Sequence, residues 1–177
     1  MKKHLIIILS VVLTACGSSN FTEEIKEVEE LETNLQLLQN TFNQIDTIKV
    51  VEAKKAYKQN MVSIKNYFVP DTVNTEFTRM MNDYKNIKVG TRNFASEYKV
   101  NKANIALLKT QLAKLKTDLE NDAVEADSAA SFIDFERINL EKLNESVGTL
   151  VYNCETVVNI HDTLTPKIID LVNNNTP

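Results

Sequence analysis

The chain has 177 residues, with 20 basic and 24 acidic side chains and a formal net charge of −4. That balance disfavours nucleic acid as a partner, because phosphate backbones demand a surplus of positive charge. Three glycines and three prolines are too few and too scattered for phosphate-cradling loops, and they predict a chain that is mostly helix.

Met1 to His4 carry Lys2 and Lys3, and Leu5 to Leu13 form a short apolar core. This reads as a cleaved export signal, too short to span a bilayer. The segment ends in Leu13-Thr14-Ala15-Cys16, which resembles the lipobox of bacterial lipoproteins. The resemblance implies that the Cys16 thiol receives a diacylglyceryl group, that signal peptidase II cuts between Ala15 and Cys16, and that the new amino terminus is acylated. The membrane partner is then reached through fatty acyl chains of the palmitate kind on Cys16. In diderm bacteria, Gly17 in place of the retention residue Asp implies the outer membrane, facing the periplasm. Each buried acyl methylene contributes about 0.8 kcal/mol, so two or three chains anchor a protein firmly. Residues 1–15 are thus the signal peptide, 16–21 a lipid-anchored linker, 22–172 a helical domain and 173–177 a frayed tail. With Lys2 and Lys3 removed, 18 basic side chains face 24 acidic ones, a formal net charge of −6. Acylation of Cys16 leaves Cys154 as the sole thiol, so no internal disulfide forms and stability must come from packing.

Asn20 followed by Glu23 suggests a capped helix start. The first seam runs through Val28, Leu31, Leu35, Leu38, Phe42 and Ile45, alternating by three and four residues. It slips at Asp46-Thr47 and resumes through Val50, Tyr57, Met61, Ile64 and Phe68; the slip fits either a local unwinding or a hairpin. Pro70 stops this arm, and Asp71 can cap the next. A second seam runs from Val73 through Phe77, Met80, Tyr84, Ile87, Thr91, Phe94, Tyr98, Asn101, Ile105, Leu108, Leu112 and Leu115 to Leu119. It keeps phase through Gly90, which predicts one long helix weakened there. Asp122 is expected to cap the third helix, with its seam through Leu140, Leu143, Val147, Leu150, Cys154, Val157, His161, Leu164, Ile168 and Leu171. Phe132, Phe135 and Ile138 are expected to extend that seam upstream, and Pro166 to kink or restart the helix. The predicted fold is all-α: an elongated antiparallel bundle of three long helices with coiled-coil-like seams, each about 75 Å long. The alternative is four helices, with a hairpin near Asp46.

Little in this sequence promises chemistry. Cys154 and His161 share a seam but lie about 10 Å apart along a helix, too far to share a metal held at about 2 Å, and both read as core. The sequence contains no HExxH, Glu-x-x-His or Gly-x-Ser-x-Gly pattern, so no catalytic residue, cofactor or metal is assigned and the protein is read as not an enzyme. Acidic blocks at residues 23–32 and 118–136 should meet at the anchored end, partly offset by Lys109, Lys114 and Lys116. Tyr67, Phe68 and Phe77 flank the Pro70 turn at the far end, most simply as a core plug. The functional expectation is a lipid-anchored cell-envelope protein acting as a structural or protein-interaction module, with an envelope protein as partner. The alternative is a small-ligand or cell-wall-binding lipoprotein, which would require polar seam residues such as Thr91, Asn101 and His161 to converge on a cavity.

Overall fold

The computed structural model describes residues 21–67 and 75–174, which form only helices: α1 (Thr22–Asn43), α2 (Thr47–Tyr67), α3 (Thr75–Tyr84), α4 (Asn86–Gly90), α5 (Phe94–Glu120) and α6 (Ala126–Asn173). They build an up-down-up bundle in three arms. The first arm is α1 followed by α2, the second is α3 to α5, and α6 alone is the third. Helix α1 packs on α5 and α6, while α2 packs on α6 and α4. The first arm therefore continues along the rod, and the hairpin alternative at Asp46 is excluded. At 1.5 Å per residue the 48-residue α6 is about 70 Å long.

The seams follow apolar spacing. Val28, Leu31, Leu35, Leu38 and Phe42 of α1 are buried, and Val50, Ala53 and Tyr57 continue them on α2. Between the two, the slip at Asp46 is a stop and restart: the Asp46 carboxylate accepts the Lys49 backbone N–H at 2.9 Å, capping α2. The Lys49 ammonium also reaches Asp162 at 2.7 Å, which ties the restart to α6 and raises the Lys49 pKa through that hydrogen bond. At the other end of the first arm, α1 starts after Phe21, which makes no side-chain cap; Asn20, like Phe68, Pro70, Asp71 and the whole of Met1 to Cys16, lies outside the described residues.

Four expectations need correction. The second arm is not one helix. Although its seam stays in phase, the helical run is divided at Lys85, whose own backbone stays right-handed helical, and the chain leaves helical geometry over Thr91–Asn93. At the second break the Thr91 hydroxyl donates to the Ile87 carbonyl at 2.7 Å, competing with the helix ladder, and the Thr91 carbonyl accepts Lys54 Nζ at 2.8 Å. Asp122 caps the helix before it, not the one after. It adopts φ 50°, with Ala123 N donating to the Asp118 carbonyl at 2.8 Å and Asp122 N to that of Leu119 at 3.1 Å, the paired bonds of a Schellman motif. Since an L side chain is strained there, Asp122→Gly should stabilise the bundle by about 0.5–1 kcal/mol, read as a raised urea midpoint.

The upstream extension of the third seam is also different. Phe132, Phe135 and Ile138 are 50%, 59% and 47% exposed, and Ala129, Ile133 and Glu136 face the core instead. Counting backward from Leu140 by four, three and four gives those inward positions, so the phase of the long seam continues and the aromatic row is the outer face. Pro166 does not restart α6, which runs unbroken through it. Its missing N–H removes one ladder bond, to the carbonyl of exposed Asp162, without ending the helix.

Candidate functional site

The acidic end is assembled as charge spacing suggested. Lys116 Nζ lies 2.7 Å from Glu29, Arg137 lies 2.6 Å from Glu27 and also bonds Asp134, and Lys114 lies 3.5 Å from Asp118. The hydrogen bond to Glu29 raises the Lys116 pKa. The Lys116 pair sets Leu112 and Leu115 level with Val28 and Leu31. Helix α1 begins at this same end of the bundle, where the α5–α6 turn also lies. Among the described residues no helix is long and apolar enough to cross a membrane.

Polar seam residues do not converge. Thr91 and Asn101 are both buried, but ten residues of arm separate them, about 15 Å of rise. The Asn101 side-chain oxygen has no hydrogen-bond partner, a cost of about 1–3 kcal/mol. His161 belongs to a different group: its Nδ1 lies 2.9 Å from the Thr165 hydroxyl, which lies 3.4 Å from the Tyr84 hydroxyl, to which Asn60 donates at 2.9 Å. This chain of side chains crosses from α2 through α3 to α6 and satisfies polar groups that would otherwise be orphaned. Nothing in the sequence pattern marked Asn60 or Thr165, since both stand off the apolar seams. Tyr84 was legible only as a core aromatic, and its ring indeed packs 5.3 Å from that of Tyr57.

Cys154 is buried beside Val157 in the middle of α6. Burial, with Glu97 and Glu155 adding, pushes its thiol up to about 11, so it stays protonated at neutral pH and is a poor nucleophile. His161 and Cys154 make no contact through which they could act as a pair. Among the described residues no cluster of three His, Cys, Asp or Glu side chains could hold a metal. Of the aromatics near the far tip, Tyr67 is 48% exposed while Phe77 packs on the core, so the expected plug is only partly formed by them.

An open groove of about 730 Å³ lies between α1 and α6, with Leu31, Leu38, Leu140 and Val147 as its floor and Glu27, Glu30 and Arg137 on its rims. It is lined by none of Thr91, Asn101 and His161, so the cavity that the small-ligand reading required is not where the polar seam residues lie. Compared with known proteins, the chain matches no family model, no curated protein and no solved structure.

Proposed function

We propose that this protein is a lipid-anchored rod of the bacterial cell envelope, held to the membrane through Cys16 and serving as a structural or protein-interaction module without catalysis of its own. The observation that carries the reading is the lipobox Leu13-Thr14-Ala15-Cys16 placed just before a helical rod whose first helix starts at Thr22. A short tether of residues 16–21 joined to arms about 70 Å long gives reach. The interior supports a mechanical role: seam positions from Val28 to Ile168 are committed to packing, and buried Thr91 and half-buried His161 are hydrogen-bonded within the bundle.

Replacing Cys16 by Ser tests the anchor. The variant should move from the membrane fraction to the soluble exported fraction, or stay unprocessed with its signal attached. A processed Ser variant that remains on membranes through a high-salt wash refutes the proposal. Crosslinking of intact envelopes, with the wild-type chain as bait, should then yield a protein neighbour that the released variant loses.

A further inference from the structure

The two arms that face each other carry rows of charge just beyond their seams. In the second arm the positions that follow Tyr84, Ile87, Thr91, Tyr98, Asn101, Leu108 and Leu115 by one are basic, namely Lys85, Lys88, Arg92, Lys99, Lys102, Lys109 and Lys116, and Glu120 after Leu119 ends the row with the opposite sign. Positions that follow a seam by one share one flank of the helix. The matching flank of the first arm begins with Glu29 and Glu32, after Val28 and Leu31, but on α2 it becomes Lys54, Lys58 and Lys65, after Ala53, Tyr57 and Ile64. Two contacts show that these flanks meet. In the anchored half Lys116 bonds Glu29 at 2.7 Å, and in the far half Lys54 Nζ bonds the Thr91 carbonyl at 2.8 Å.

The same basic row is therefore matched by carboxylates near the anchor and by more lysines near the tip. Lys54 at Thr91 and Asn60 at Tyr84 fix an antiparallel register that sets Lys58 level with Ile87 and Lys88. Among the described residues, none of Lys54, Lys58, Lys65, Lys85, Lys88 and Arg92 makes an ion pair, and all but Lys54 are exposed. Like charges held on adjoining flanks of packed helices repel one another, and a bound anion would remove that repulsion.

We infer that this strip along α2 and α4 binds a linear polyanion carrying closely spaced phosphates. Five of the six groups are lysines, compact point charges that suit phosphate without demanding the planar fork geometry by which arginine grips carboxylates. On α2 the row spans about 17 Å and successive groups such as Lys54 and Lys58 stand about 6 Å apart along the axis, a track and not a pocket. The inference rests on the rod being an interaction module but not on Cys16, so failure of the anchor would leave it standing, and its own failure would leave the anchor standing.

The test is titration of the full chain in neutral detergent with linear inorganic polyphosphate, across a salt series. Six contacts predict a log–log salt slope near −4 and about a 300-fold loss of affinity between 50 and 200 mM salt. Lys58→Gln with Lys88→Gln should weaken binding about tenfold and flatten the slope by one or more, while Lys142→Gln with Lys167→Gln, the same charge change on α6, should leave both unchanged. The inference is overturned by no saturable binding at low salt, by equal losses in the two double variants, or by tighter binding of polyglutamate of matched length. It is equally overturned if the chain forms a dimer that the Lys58→Gln, Lys88→Gln variant abolishes while polyphosphate does not bind, since the strip would then serve the acidic half of a second copy.

Discussion

Leu112→Ala is expected to destabilise the bundle by about 3 kcal/mol, within the 2–5 range typical of a buried leucine. Leu112 is fully buried on α5, which packs on both α1 and α6. Truncation there removes apolar contacts with two partners at once. The void closes poorly, because the Lys116–Glu29 and Arg137–Glu27 pairs bracket the same end and helices on both sides hold the walls apart. Urea unfolding gives the measurement: the midpoint should fall with an unchanged slope, showing lost stability without a change of unfolded state. A loss below about 1 kcal/mol would mean that the end collapses around the cavity, and that the half built by α1 and α5 is far looser than its packing implies.

The second large effect is a pair of opposite signs. Gly90→Ala should destabilise by about 1–3 kcal/mol, whereas Gly148→Ala should stabilise by about 0.5–1 kcal/mol. A Cβ at Gly90 would lie 2.7 Å from Val157 Cγ2 and 3.5 Å from the Asn153 carbonyl oxygen. Val157 is buried and β-branched, so its methyl cannot swing aside without leaving its rotamer. A Cβ at Gly148 would meet nothing within 4 Å, so alanine there only removes the entropy penalty of glycine in a helix. Thermal unfolding of the two variants side by side decides the matter. If both shift upward, α4 does not pack on α6 as closely as the Gly90 contact requires.

Much of the fold was legible because burial is periodic. The seams through Leu31, Leu108 and Leu150 are mostly apolar residues repeated at helical spacing, and they kept their phase in the bundle except at the end of α6, where Thr165 and Val172 are buried in place of the expected Leu164 and Leu171. Breaks were harder to read. Proline and glycine draw the eye, yet Pro166 lies within an unbroken helix and Gly90 marks a close approach. The second arm actually parts where the Thr91 hydroxyl joins the Thr91 N–H on the Ile87 carbonyl and a lysine from another helix takes the Thr91 carbonyl. That competition depends on which helix lies alongside. Phe132 and Phe135 misled because aromatic residues usually go inward, and only the phase carried back from Leu140 places Ile133 and Glu136 on the inner side. The charged strip was hidden by summation: an overall negative chain contains a positive half, and no count of lysines says which rows oppose each other.

The interruption at Gln44–Asp46 and that at Thr91–Asn93 are staggered along the rod. Phe42 stacks on Tyr98 at 4.6 Å, which sets the first break beside the start of α5, and Lys54 meets Thr91, which sets the second beside α2. At each break one arm loses helical continuity while a helix of the neighbouring arm and α6 run past it. The joints overlap like staggered brickwork, so a bending load is carried across each by two unbroken helices. A force applied at the tip therefore meets no single hinge, and the rod yields by gentle curvature shared between paired helices.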